Sequence, residues 1–311
     1  MPLLSFLSVL PELRTIFDAA KTDRFAPSSC KAQRIETSDH KKSTIRVIFG
    51  CSFGQRVNAT VQISRMTIKD DIIVDIETAT GPMRTHVFRP TVEGRYPGVI
   101  LYSEIFQVTG PIRRTAATIA GHGYVVAVPE VYHELEPAGC VLAYDQAGAD
   151  IGNAHKYAKP IAAYDRDAQA TIQHLLGRED CTNKVGVMGI CLGGHLAFRA
   201  AMNPEVSAAA CLYATDIHSA TLGQGKHDNS LERAGEIKAE LLHIWGRQDP
   251  HVPLEGRNRI KARLEEVGAN FQWFEVNGAH AFMRDEGYRY DPELAMRCYG
   301  LVLDLFHRKL R

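Results

Sequence analysis

The chain has 311 residues, 45% hydrophobic and 23% charged, with Lys plus Arg and Asp plus Glu balanced at 36 each. These ordinary globular proportions exclude global disorder, and a net charge of zero offers no field for nucleic acid or an anionic lipid surface. No apolar run approaches the roughly 20 residues that cross a bilayer, so no membrane span is expected.

Residues 1–65 differ in character from the rest, with ten Lys/Arg against five Asp/Glu. Only Leu3 to Ala19 has apolar residues at three- and four-residue spacing, interrupted by Pro11. Targeting presequence, surface-hugging extension and sequence upstream of a start at Met66 are competing readings. The several acidic residues count against a presequence, and the short Met1–Leu10 apolar core without basic residues before it against a secretory signal. The segment is expected to be a poorly ordered or loosely attached extension, with residues 66–311 forming the main domain.

From Met66 the pattern becomes regular. Asp71–Ile76 and Arg84–Phe88 predict two short strands split by Gly81-Pro82. Further strands are expected at Gly98–Ser103, Tyr124–Val128, Val185–Gly189, Ala208–Tyr213, Glu240–Trp245 and Phe271–Val276. Helix spacing marks Ile112–Gly121, Ala162–Leu176, Gly193–Met202, Gly256–Val267 and Pro292–Arg308. Val/Ile/Leu-rich runs without polar alternation suit parallel strands buried on both faces. Repeated strand–helix alternation implies right-handed crossovers and a doubly wound, mostly parallel α/β sheet flanked by helices.

The most informative segment is Val185-Gly-Val-Met-Gly189-Ile-Cys191-Leu-Gly193-Gly194-His195. An apolar strand runs into Gly-x-Cys-x-Gly-Gly, and a helical stretch follows at once. This spacing places a nucleophile at the apex of a tight strand-to-helix turn, where residues two positions away must be small. The helix N-terminus behind the thiol favours thiolate. The competing reading is a buried, inert cysteine, the usual fate of a free thiol.

The partners decide between them. Leu241-Leu-His-Ile-Trp-Gly-Arg-Gln-Asp249-Pro-His-Val-Pro253 is an apolar strand ending in a loop that bears Asp249, and Phe271–Val276 leads to Asn277-Gly-Ala-His280-Ala-Phe282. Alone, Asp249 could be a turn former and His280 a surface histidine. Nucleophile, acid and histidine in this order, each after a strand, is the α/β-hydrolase arrangement, and strand carboxyl ends are where open-sheet sites form. In that arrangement His280 takes the thiol proton, Asp249 orients the imidazole and Cys191 attacks a carbonyl. The oxyanion needs two amides, expected from the backbone N–H groups of Leu192 and Ile105.

Glu104 ends the apolar run Val99-Ile-Leu-Tyr-Ser-Glu, where a carboxylate is costly unless paired or functional; a partly solvated strand end is the plainer alternative. Ser103-Glu104-Ile105-Phe106, Gly189-Ile-Cys191-Leu-Gly-Gly194, Gly246-Arg-Gln-Asp249-Pro-His-Val-Pro253 and Gly278-Ala-His280-Ala-Phe282 together resemble the dienelactone hydrolase (carboxymethylenebutenolidase) family, from about Met66 to the C-terminus. The resemblance implies a cofactor-free hydrolase with a cysteine nucleophile. It further implies that Glu104 contacts the resting thiol and helps generate thiolate once substrate binds, and that Arg284 holds a substrate carboxylate. A second family arginine has no counterpart in Ala149–Tyr157, which offers Asp150, His155 and Lys156. Tyr213, at its strand end, is expected to line the pocket.

The expected function is therefore hydrolysis of a small, anionic ester or lactone through Cys191, His280 and Asp249 with a covalent acyl-enzyme. A broader carboxylesterase or thioesterase, and a non-hydrolytic ligand-binding homologue, are the alternatives. Seven irregularly spaced cysteines form no CxxC pair and no even disulfide framework. A reducing, cytoplasmic setting follows, with organellar import through the N-terminal stretch as a variant. No metal, cofactor or nucleic-acid partner is expected, and the protein should be a monomer or small homo-oligomer. Arg113-Arg114 reads as a solvated helix face, and His195, His243 and His251 as packing or surface histidines.

Overall fold

In the computed structural model, residues 31–38, 44–50, 56–62 and 68–311 are described. The chain divides into two units, Met1–Arg65 and Met66–Arg311. In the first, β1 (Lys31–Ser38), β2 (Thr44–Gly50) and β3 (Arg56–Gln62) pair antiparallel in the order β1-β2-β3. The sequence reading found no strand period there; the Leu3–Ala19 pattern lies outside the described residues.

The second unit is built on an eight-stranded sheet. Its strands are β4 (Ile68–Thr78), β5 (Gly81–Pro90), β6 (Tyr96–Tyr102), β7 (Val125–Pro129), β8 (Cys181–Ile190), β9 (Val206–Leu212), β10 (Glu240–Gly246) and β11 (Phe271–Val276). Their order is β11-β10-β9-β8-β6-β7-β5-β4. The run from β11 to β7 is parallel throughout, and β5 pairs antiparallel with both β7 and β4. This is the α/β-hydrolase architecture, with its order reversing beside β6 and β8.

Successive residues of the central strands serve two cores. Ile100, Val187, Ala209 and Leu241 face one side; Val99, Leu101, Met188, Ala210 and Leu242 face the other. Helices α3 (Ile161–Leu176), α4 (Leu192–Ala200) and α5 (Leu254–Glu266) cover the first face, while α1 (Gly110–Gly121) and α6 (Pro292–Leu310) cover the second. Being covered on both sides is why β10, Glu-Leu-Leu-His-Ile-Trp-Gly, is buried along its whole length. The α6 start is set locally: Asp291 accepts from the Leu294 N–H at 3.0 Å, and Pro292 opens the first turn.

Helix α2 (Gln146–Ala158) was absent from the sequence reading. Its buried residues are Gly148, Gly152 and Lys156, one face at four-residue spacing with almost no apolar side chain. The glycines are there for close approach. A Cβ on Gly148 would lie 2.1 Å from the Ala143 carbonyl oxygen, and one on Gly152 2.5 Å from that of Ile105. The helix thus lies directly on the backbone that follows β6.

Opposite, α6 lies close on β8. A Cβ on Gly186 would meet Leu310 Cδ1 at 2.7 Å and Phe306 Cε1 at 3.1 Å. Phe306 is fully buried and sits 5.8 Å from the Tyr124 ring. Phe306→Ala removes that ring from a packed layer and is expected to cost about 3–5 kcal/mol. Urea unfolding should show a lower midpoint with an unchanged m-value.

Candidate active site

The loops that follow β6, β8, β9, β10 and β11 open on one cleft. At its centre is Cys191, between β8 and α4, with φ 59° and ψ −121°, a conformation a non-glycine residue adopts only when its surroundings impose it. The imposing contacts are backbone ones. Cys191 N–H donates to the Leu212 carbonyl at 3.1 Å, and its own carbonyl accepts from Gly194 at 3.0 Å and Thr215 at 3.3 Å. A Cβ on Gly189 would fall 1.8 Å from the Gly193 oxygen, and one on Gly193 2.2 Å from the Tyr102 oxygen. Only glycine permits a chain to fold back this tightly.

His280 follows β11 and Asp249 follows β10. Asp249 Oδ2 lies 2.7 Å from His280 Nδ1, in a buried contact. The other carboxylate oxygen, Oδ1, accepts from the His251 N–H at 2.8 Å, fixing the group's orientation. Burial works to lower the His280 pKa, but the Cys191 sulfur beside it and the hydrogen bond to Asp249 outweigh burial and push it up to about 10.

Glu104 is 2% exposed. Its Oε2 accepts from the Tyr144 hydroxyl at 3.0 Å, and its Oε1 is 3.7 Å from Arg284 Nη1. Tyr144 is pinned in turn by Thr109 Oγ1 at 2.6 Å and by the Arg284 guanidinium, 4.2 Å above its ring. Burial raises the Glu104 pKa most, and Arg284, Tyr144, His280 and Arg289 lower it without cancelling that effect. Glu104 shares the cleft with Cys191, yet among the described residues its hydrogen bond goes to Tyr144 and not to the thiol. Cys191 and His280 line the same cleft.

Among the described residues, neither the Ile105 nor the Leu192 N–H has a hydrogen-bond acceptor, and Ile105 lines the cleft with Cys191. Tyr213 departs from expectation. It is fully buried and does not line the cleft; its ring packs 5.3 Å from His280 and 5.2 Å from Phe282. With φ 36° the chain turns inward there, so Tyr213 supports the imidazole from behind.

The cleft measures about 860 Å³. Among its lining residues the sequence reading missed Tyr144 and Arg289 and assigned His251 elsewhere, although its ring is 4.5 Å from that of His280. Tyr144 and Arg289 carry no motif signal, since Tyr144 precedes a helix with no apolar stripe and Arg289 lies in a loop, whereas His251 sits within the Gly246–Pro253 motif. Lys156 also lines the cleft, with its ammonium 3.0 Å from Asp216 Oδ2. His195 and His243 are buried, the latter stacked on Trp245.

Cys140, Cys181, Cys191, Cys211 and Cys298 are free thiols. Away from the cleft, His133, Glu134 and Asp167 come close enough together to hold a cation. Lys159 already supplies one, its ammonium 2.7 Å from Glu134 and 2.5 Å from Asp167. No helix among the described residues is long and apolar enough to cross a membrane.

Comparison with known proteins assigns the family. The Dienelactone hydrolase family model matches residues 83–310. The chain belongs to the dienelactone hydrolase family. It is 43% identical over 249 residues to a candidate carboxymethylenebutenolidase of Saccharomyces cerevisiae, covering 76% of this chain and 91% of that one. A carboxymethylenebutenolidase of Pseudomonas putida is 28% identical over 198 residues, 62% of this chain and 78% of its own. Among solved structures, a candidate dienelactone hydrolase from Klebsiella pneumoniae superposes with a TM-score of 0.68 at 22% identity. That alignment covers 78% of this chain and 99% of the other. Residues 1–65 lie outside the family match.

Membership in this hydrolase family leaves a buried carboxylate to explain. The pKa of Glu104 is raised on folding, so its contribution to stability is full below the usual glutamate range and is lost as pH rises through the folded value. Glu104→Gln should therefore melt above the wild type at neutral pH, the gap closing toward about pH 4. Thermal melts across that range test this; a gap independent of pH would show that the Glu104 pKa is not raised in the folded state.

Proposed function

We propose that this protein hydrolyses small esters or lactones through Cys191 as nucleophile, with His280 and Asp249 as its acid–base pair. The observation that carries the reading is the buried 2.7 Å contact from Asp249 to His280, beside a cysteine held at φ 59°. Asp249 fixes the imidazole so that Nε2 is available to the sulfur. The thiol proton passes to His280, leaving a thiolate–imidazolium pair at the N-terminus of α4, where the helix dipole favours the anion.

Attack of sulfur on the substrate carbonyl forms a C–S bond and moves the carbonyl π electrons onto oxygen. The free N–H groups of Ile105 and Leu192 suit that oxyanion. Collapse breaks the C–O bond, and His280 donates its proton to the leaving oxygen. The thioester is then opened by water, whose proton returns to His280, releasing the acid and restoring the thiolate. For a lactone, acid and alcohol leave as one molecule. Glu104, held by Tyr144 and Arg284 within the same cleft, is suited to contact substrate or sulfur once Arg284 engages a substrate carboxylate. The name of the Pseudomonas putida relative specifies a butenolide, an unsaturated lactone, and a substrate of that class fits this chemistry.

A second reading, a broader carboxylesterase or thioesterase, is favoured by the cleft itself, since about 860 Å³ exceeds what one small lactone fills. Specificity constants for lactones against longer acyl esters and thioesters decide between the two.

Cys191→Ala should lower turnover of dienelactone and of short aryl esters by roughly 10⁴-fold or more. Mass spectrometry after brief exposure to an aryl ester should find the acyl group on the wild type alone. Retained turnover in the variant would sink the reading.

The pH profile provides a separate check. With His280 at about 10, kcat/KM should decline as pH rises through that value and the proton donor is lost. Asp249→Asn removes one of the influences that raise this pKa, so the alkaline limb should move to lower pH. An unmoved limb would remove Asp249 from the role given to it.

A further inference from the structure

A second depression lies away from the cleft and shares no lining residue with it. It measures about 160 Å³ and opens between α3, the end of α4 and the short helical turn Glu232–Glu236. Asp165, Arg166 and Gln169 reach it from α3, Arg199 from α4 and Arg233 from the turn. Three guanidinium groups therefore line it beside one carboxylate.

That carboxylate is already engaged. Asp165 accepts from Arg199 Nε at 2.8 Å and Nη2 at 2.7 Å, and from Arg233 Nη1 at 3.3 Å. Arg233 turns its other edge to Glu236, donating from Nε at 2.9 Å and from Nη2 at 2.7 Å. Two acids thus balance two arginines. Arg166 is exposed and, among the described residues, has no carboxylate within ion-pairing distance. The depression keeps one positive charge over.

Arg199 gives this charge a fixed base. It is 3% exposed, and its Nη1 donates to Asn229 Oδ1 at 3.1 Å and to Ser230 Oγ at 2.8 Å. A guanidinium carries five N–H donors. Arg199 engages four of them and Arg233 three. The donors that remain, with the whole fork of Arg166, belong to one open and positively charged hollow.

We propose that this hollow binds a small phosphate-type oxyanion, either free phosphate or the phosphate group of a small molecule. Arg166 and Arg233 are its contacts, and Arg199 is the rigid support beside them. Planar guanidinium groups meet a tetrahedral oxyanion through paired N–H bonds, a geometry that a spherical halide does not match. The site is independent of the hydrolytic reading of Cys191. It adds a second ligand position at the far end of the helix that begins behind the nucleophile.

Thermal melts of the full chain in phosphate, against sodium chloride of equal ionic strength, test this. Phosphate near tenfold above its Kd should raise Tm by about 3–6 °C. Arg166→Gln and Arg233→Gln should each lose at least half of that rise, and Arg166→Lys should keep most of it. General stabilisation by an excluded salt acts alike on all these proteins, so it does not produce the difference. Because Arg166 is exposed, its variants should keep the wild-type circular dichroism. Glycerol 3-phosphate distinguishes the two sources: a larger rise than with phosphate marks an organic phosphate, and an equal or smaller one the free ion.

No rise beyond that in chloride, or the same rise in wild type and Arg166→Gln, overturns the proposal. A rise lost in Arg284→Gln but kept in Arg166→Gln places the anion in the cleft and overturns it equally.

Discussion

The cleft depends on one backbone constraint: the chain around Cys191 passes so close to its neighbours that only glycine fits on either side. A Cβ at Gly189 or Gly193 would overlap carbonyl oxygens at 1.8 and 2.2 Å. The same closeness drives Cys191 to a positive φ and projects its side chain out of the turn. Because β8 is central in the sheet, with β6 and β9 on its two sides, the projected sulfur meets the loops of both halves. Strain at this turn is thus balanced by a fully hydrogen-bonded sheet edge-on beneath it, including the Cys191 to Leu212 bond at 3.1 Å.

Around that point the charges are arranged in matched pairs, and their arrangement bears on chemistry more than stability. Asp249 with His280, Glu104 with Arg284 and Lys156 with Asp216 each bury a charge beside its counter-charge. Buried pairs are weak contributors to stability but strict about geometry. They hold the cleft polar without letting any acid sit free beside the sulfur. Positive φ at Tyr213, Asp216 and Ala281 accompanies them, so backbone strain gathers where the cleft is formed, as is usual for functional sites.

Much of this could be read from the chain before any coordinates. The central strands are continuous apolar runs, and such runs report burial on both faces wherever they occur. Cys191, Asp249 and His280 each sit directly after one of them, so their order alone placed them at one end of the sheet. The reading failed where local pattern carries no signal. Helix α2 presents glycines rather than an apolar stripe because it rests on backbone, and Tyr213 turns inward through a φ that its strand context does not foretell. Tyr144 and Arg289 lie in segments without periodicity, and their value comes from what they meet.

The sequence by itself determined the doubly wound class, the glycine-flanked turn and which residues follow strands β8, β10 and β11. Those features are local: each depends on residues within a few positions of one another. Only the tertiary structure decided which charges are matched. Arg114 reaches Asp285 across 171 positions, and Tyr144 reaches Glu104 across 40. Ion pairing depends on separations of a few ångströms between loops, and no spacing along the chain encodes them. That is why no spacing along the chain marks Arg289 as a lining residue of the cleft.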